Sequence, residues 1–144
     1  MKTTKRFENA VTKLYTAFHE GTLNAGNCEH CAVGNICDNN YEWADFTGWS
    51  SKLGVLRVGG SKAYEAIKNT GYSPSEIVRI EYVFLKAQGI NGYMDIKDEN
   101  AINKEYQFKG LCAVVKYLCE LDDIPNVMEV QSLFEYEGEK KQLT

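Results

Sequence analysis

Three cysteines fall within ten residues, Cys28, Cys31 and Cys37 of CEHCAVGNIC, and here residue type and spacing point most directly to chemistry. A C-x-x-C pair offers two thiolates to a metal ion or two thiols for redox exchange. If Asn27 caps a helical turn starting at Cys28, then Cys28 and Cys31 stand three residues apart and project together, while His30 and Cys37 point elsewhere. Unpaired backbone N–H groups at such a helix start favour the thiolate, which suits either chemistry. A structural zinc site takes four ligands, so the pair needs two more. Gly34 would let the chain turn back and bring in Cys37 as a third thiolate, with His19, His30 or Asp38 as the fourth ligand. The expected metal set is therefore Cys28, Cys31, Cys37, His30 and His19, with Zn2+ as the ion it suits.

A plainer reading competes with this one, because an unpaired cysteine often packs as a small apolar side chain. Cys112 and Cys119 fit that reading best. Seven apart on one helix, they lie about 10 Å from each other along its axis and cannot share an ion. His19, at the end of a helix, complements the dipole there without any chemistry. Trp43, Phe46 and Trp49 either seal a long loop onto the core or line a pocket or partner-binding patch. Glu76 and Glu81 read as a helix cap and a solvated face rather than as acid and base. The chain has no G-x-S-x-G, P-loop, dinucleotide fingerprint or H-E-x-x-H, so the sharper enzyme classes find no support.

The elements that must position these residues are helical. Phe7, Val11, Leu14, Tyr15 and Phe18 recur at steps of three and four, which predicts a helix from Thr4 to about His19, closed by Gly21. Residues 41–60 carry no clean period and predict a loop with one helical turn and a short extended piece at Val55 to Val58. Ser61 is placed to cap a short helix running to Asn69. In SPSEIVRIEYVFLKAQG, Ser73 is an N-cap, Pro74 the first helical residue, Glu76 the return partner, and Gly89 the stop. Tyr106, Leu111, Val114, Val115, Leu118 and Leu121 predict a long helix from about Asn103 to Asp122. Its Gly110 would cost about 1 kcal/mol against alanine, which points to a neighbouring helix approaching closely. Asn126 and Glu129 suit the start of a last short helix carrying Val127, Val130 and Phe134.

Composition bounds the rest. The chain has 144 residues, 44% of them apolar, with 16 basic and 20 acidic residues and a net charge of −4. With no Lys/Arg cluster, counterion release gives nucleic-acid binding little to work with. No apolar run approaches the roughly 20 residues that span a bilayer, so the expectation is a cytoplasmic protein with no membrane insertion and no nucleic-acid partner. Five cysteines is an odd number, and a reducing compartment disfavours structural disulfides.

CAVGNIC, GYSPSEIVRIEYVFLK and GLCAVVKYLCELDDIPNV together resemble a small family of bacterial proteins of similar length that carry the label of a Na+-translocating NADH-quinone reductase component. The resemblance covers most of the chain. That label implies a membrane anchor, a ferredoxin domain and a flavin- and NADH-binding domain, none of which this chain accommodates. Plant-type ferredoxin ligation runs C-x4-C-x2-C, whereas the order here is C-x2-C-x5-C, and no catalytic residue is carried over.

The sequence reading is an all-α fold, one domain of about five helices over residues 1–136 with an irregular Cys/Trp-containing loop, and a polar tail at 137–144. Its leading function is a thiol protein whose Cys28 and Cys31 bind metal or exchange electrons. The alternative is a non-catalytic interaction or homo-oligomerisation module with structural cysteines, using the Trp43–Trp49 loop and an apolar helix face.

Overall fold

The computed structural model describes residues 3–25, 27, 29–46, 60–89, 103–125 and 127–134. Helix α1 (Lys5–Glu20) starts where the Thr4 side chain accepts the Phe7 N–H, and ends at Gly21, whose φ of 77° lets its N–H reach back to the carbonyls of Ala17 and Phe18. Phe7, Ala10, Val11, Leu14, Ala17 and Phe18 form its buried stripe. Tyr15, expected inward, is 44% exposed, because it sits at the edge of that stripe next to Leu14.

Helices α2 (Ala32–Ile36) and α3 (Ser61–Ile67) are short, and a 3-10 helix covers Tyr41–Phe46. Ser61 does not cap α3: Gly60 holds the cap position without a side-chain bond, and the helix ends at Ile67 instead of Asn69. Helix α4 (Pro74–Lys86) carries both halves of the anticipated capping box, Glu76 N–H to Ser73 Oγ at 3.2 Å and Ser73 N–H to Glu76 Oε1 at 2.8 Å. Helix α5 (Lys104–Leu121) opens on Asn103, whose side chain accepts the Tyr106 N–H. Helix α6 (Val127–Gln131) runs into a 3-10 turn at Ser132–Phe134.

The described residues are all-α, with six α-helices and no strand. No described helix is long and apolar enough to cross a membrane. Cys28, Trp49, the extended piece at Val55 to Val58, Asn126 and the tail at 137–144 lie outside the described residues.

Close packing of α4 on α5 depends on Gly110. A Cβ there would lie 2.8 Å from the Phe84 carbonyl oxygen, from Phe84 Cδ1 and from Gln88 Nε2, so the backbone contact anticipated for this glycine is present and no larger residue fits without displacement. Helices α1 and α5 run antiparallel, joined at both ends. Arg6 near the start of α1 grips Asp122 at the end of α5, and Lys104 at the start of α5 donates to the Phe18 carbonyl and lies 4.0 Å over the Phe18 ring. The second contact sets a cation against the C-terminal end of α1, where the dipole favours positive charge, on a carbonyl that already accepts the Gly21 N–H. Burial lowers the Lys104 pKa. One cluster of buried side chains, including Phe18, Trp43, Phe84 and Phe134, unites these helices.

Candidate functional site

The segment from Asn24 to Asn40 is built by asparagines. The Asn27 carbonyl accepts from His30 N–H at 3.0 Å and Cys31 N–H at 2.8 Å, and Asn24 N–H donates to the His30 carbonyl at 2.8 Å. Asn35 Nδ2 donates to the carbonyls of His30 and Cys31, both at 2.9 Å, and Asn39 Nδ2 to that of Glu29 at 2.8 Å. Side-chain amides thus satisfy an irregular backbone that has few ladder bonds of its own.

The helix expected to start at Cys28 under an Asn27 cap begins one turn later. Cys31 is the N-cap of α2, and its Sγ accepts the Gly34 N–H at 3.3 Å. Cys31 is 0% exposed, so this sulfur faces the interior and already serves as a backbone acceptor. Gly34 does not turn the chain back either, because it lies inside α2. The reversal comes at Asp38 and Asn39, with φ of 57° and 65°, a region that these short polar residues tolerate better than most.

Cys37 closes α2 at its C-terminal end and is 4% exposed. Burial pushes its thiol up to about 12, a rise that Lys13 opposes and that Asp38 and Glu81 reinforce. A thiol held so far above neutrality is a poor nucleophile. Asp38 is paired with Lys13 at 2.9 Å, and the same ammonium donates to the Ile36 carbonyl. These groups border a polar hollow of about 220 Å³ that also touches Glu65 and Thr70.

The histidines stand apart from the sulfurs in role. His30 is half-buried with Nδ1 at 3.5 Å from Asn39 Nδ2. His19 is exposed in the last turn of α1, its ring 4.5 Å from Tyr15 and 5.1 Å from Phe18, where a cation would complement the helix dipole. Among the described residues no three His, Cys, Asp or Glu side chains gather closely enough to hold a metal ion. The described set therefore does not assemble the four ligands that structural zinc takes. Cys119 is buried in the core, Cys112 is half-buried, and neither they nor Cys31 and Cys37 form a disulfide.

Glu81 corrects the sequence reading. It is 1% exposed, and its Oε1 accepts the Val33 N–H of α2 at 3.3 Å, so this carboxylate docks the start of α2 onto α4 and is not solvated. The signal was available: Glu81 lies four residues after Ile77 and three before Phe84, on the inward face. Trp43 is fully buried in the core cluster, as the sealing reading expects.

A second hollow, of about 290 Å³, lies between α4 and α5 and is lined by Arg79, Val83, Ala113, Lys116, Tyr117 and Glu120. Val83 and Tyr117 are half-buried, and burial raises the tyrosine pKa. Each helix contributes only half of this surface, so neither sequence segment reveals it alone. The available hint was an apolar residue recurring on the outward side of each helix, Val83 on one and Ala113 on the other. Comparison with protein-family models, with curated proteins and with solved structures finds no match.

Proposed function

We propose that the chain is a non-catalytic protein-interaction module whose cysteines are structural and whose contact surface is the hollow between α4 and α5. The observation that carries the reading is that hollow, where Val83, Ala113 and Tyr117 offer an apolar floor between two helices packed closely at Gly110. A hydrophobic groove between packed helices is the kind of surface that receives an amphipathic helix. Among the described residues the thiols gather no rival centre in this reading: Cys31 caps α2, and burial raises the Cys37 pKa. Four sulfurs outside disulfides suit a reducing compartment such as the cytoplasm. The resemblance to the reductase-labelled family adds no residue to this reading.

A photo-cross-linking side chain placed at Ala113, and separately at Lys62 on the exposed side of α3, tests it. Adducts to another protein from position 113 and none from position 62 support the reading. Equal yields at both positions, or none at either, refute it. Zinc measured in protein purified without added metal tests the thiol-centred alternative, which requires stoichiometric metal or a readily oxidised Cys28–Cys31 pair.

A further inference from the structure

The walls of this hollow carry a charge opposite to that of the chain. Arg79 and Lys116 line it, and the same two stripes continue to Lys86, seven residues beyond Arg79 on α4, and to Lys109, seven before Lys116 on α5. Arg79, Lys86, Lys109 and Lys116 are all exposed. Each stripe spans about 10 Å of helix at 1.5 Å per residue, so two basic rails flank an apolar floor. The carboxylates near this face are Glu105 and Glu120, at the two ends of the α5 stripe, and Glu76, one turn before Arg79 on α4 and close enough to act on Tyr117. Four cations therefore face three acids, one of them already paired with Arg6, in a chain whose net charge is −4.

None of the four cations is in an ion pair among the described residues, whereas Arg6, Lys13 and Lys68 each are. Two rest on tyrosine rings instead: Arg79 lies 5.1 Å over Tyr82 and Lys109 lies 6.0 Å over Tyr106. Glu76, the nearest acid on α4, is already held by Arg6, and Glu81 is turned inward to Val33. Four cations outside any close ion pair among the described residues leave charge on this face that a partner of opposite sign can meet.

We infer that the hollow binds an acidic amphipathic helix, with a large apolar side chain seated over Val83, Ala113 and Tyr117 and carboxylates on either flank meeting Arg79 with Lys86 and Lys116 with Lys109. The inference rests on the interaction reading and adds the partner's chemistry to it. A nucleic-acid duplex fits less well, because it would meet a net-negative protein and leave the apolar floor without a contact.

The test uses the full chain and three synthetic helical peptides: one with leucine anchors flanked by glutamates, one with the same leucines flanked by lysines, and one with the glutamates but alanines for leucines. The acidic leucine peptide should bind, shift the amide NMR signals of Val83, Ala113 and Tyr117, and weaken as salt rises. The other two, and the acidic peptide on Arg79→Glu/Lys116→Glu, should bind about tenfold more weakly or worse. Circular dichroism should find that double variant as folded as the parent, since both side chains are exposed.

Equal binding of the acidic and lysine peptides, shifts confined to another surface, tighter binding of a DNA duplex, or a dimer that buries the hollow would each overturn the inference. If position 113 still cross-links a partner while charge reversal changes nothing, the acidic character alone is wrong. If neither a partner nor a peptide engages the hollow, the interaction reading falls with it.

Discussion

Arg6 and Asp122 close the two ends of the chain's antiparallel helix pair onto each other, guanidinium Nη2 to carboxylate Oδ1 at 2.5 Å. The same guanidinium donates to the Gly71 carbonyl at 2.9 Å, approaches Glu76 at 3.4 Å and lies 4.5 Å over the Tyr72 ring. Thr4, the cap of α1, donates to Asp122 Oδ2 at 2.6 Å. The start of α1, the start of α4 and the end of α5 thus converge on one cation. Asp122→Asn should cost about 1.5–3 kcal/mol in urea unfolding, the range for hydrogen bonds to charged groups, and a change below a few tenths would show the cluster to be ornamental.

The same contact sets an acid limit. The Arg6 hydrogen bond, aided by Thr4, holds the Asp122 carboxyl below its ordinary 3.8. A depressed folded value means stability that is present above the unfolded value and lost as pH falls through the folded one. Wild type should therefore lose stability below about pH 4 more steeply than Asp122→Asn, read as melting temperature against pH. Parallel curves would contradict this.

Gly110→Ala should destabilise the protein despite alanine's better helix propensity. The added methyl meets the Phe84 carbonyl at 2.8 Å; overpacking of this kind costs about 1–3 kcal/mol against a propensity gain of about 1 kcal/mol. A lower melting temperature is expected, and a higher one would mean that α4 yields without cost.

Glu81 can be tested locally. Glu81→Gln keeps an oxygen for the Val33 N–H, whereas Glu81→Leu leaves that donor buried without it, a loss of about 1–3 kcal/mol. Hydrogen exchange at Val33 should rise about tenfold or more in Glu81→Leu and stay near wild type in Glu81→Gln. Equal protection in both variants would remove Glu81 from the docking of α2.

Much of the frame was legible because it is local. Ser73, Pro74 and Glu76 announce the start of α4 within four residues, Gly21 and Gly89 mark stops that both take positive φ, and Gly110 announces its close contact by its type alone. The site was not legible, for two reasons. Cys31 and Glu81 owe their roles to each other's neighbourhood at the start of α2, a meeting of segments 50 residues apart that no spacing rule encodes. C-x-x-C spacing also says which thiols can face together only once the helix start is known, and here that start falls at Ala32.

As the N-cap of a packed helix, Cys31 should tolerate serine, itself a favoured cap, within about 1 kcal/mol, while valine should lose about 1 kcal/mol by removing the acceptor. Urea midpoints of Cys31→Ser and Cys31→Val check this. In native protein, alkylation of Cys31 and Cys37 should proceed only as fast as the chain opens; rapid labelling of either would contradict its burial.

The most direct measurement compares partner capture by Ala113→Glu and Cys31→Ser with wild type, each confirmed folded by circular dichroism. Ala113→Glu should lose the proteins that wild type retains, and Cys31→Ser should keep them. Loss with Cys31→Ser and retention with Ala113→Glu would move the function from the helix seam back to the sulfurs.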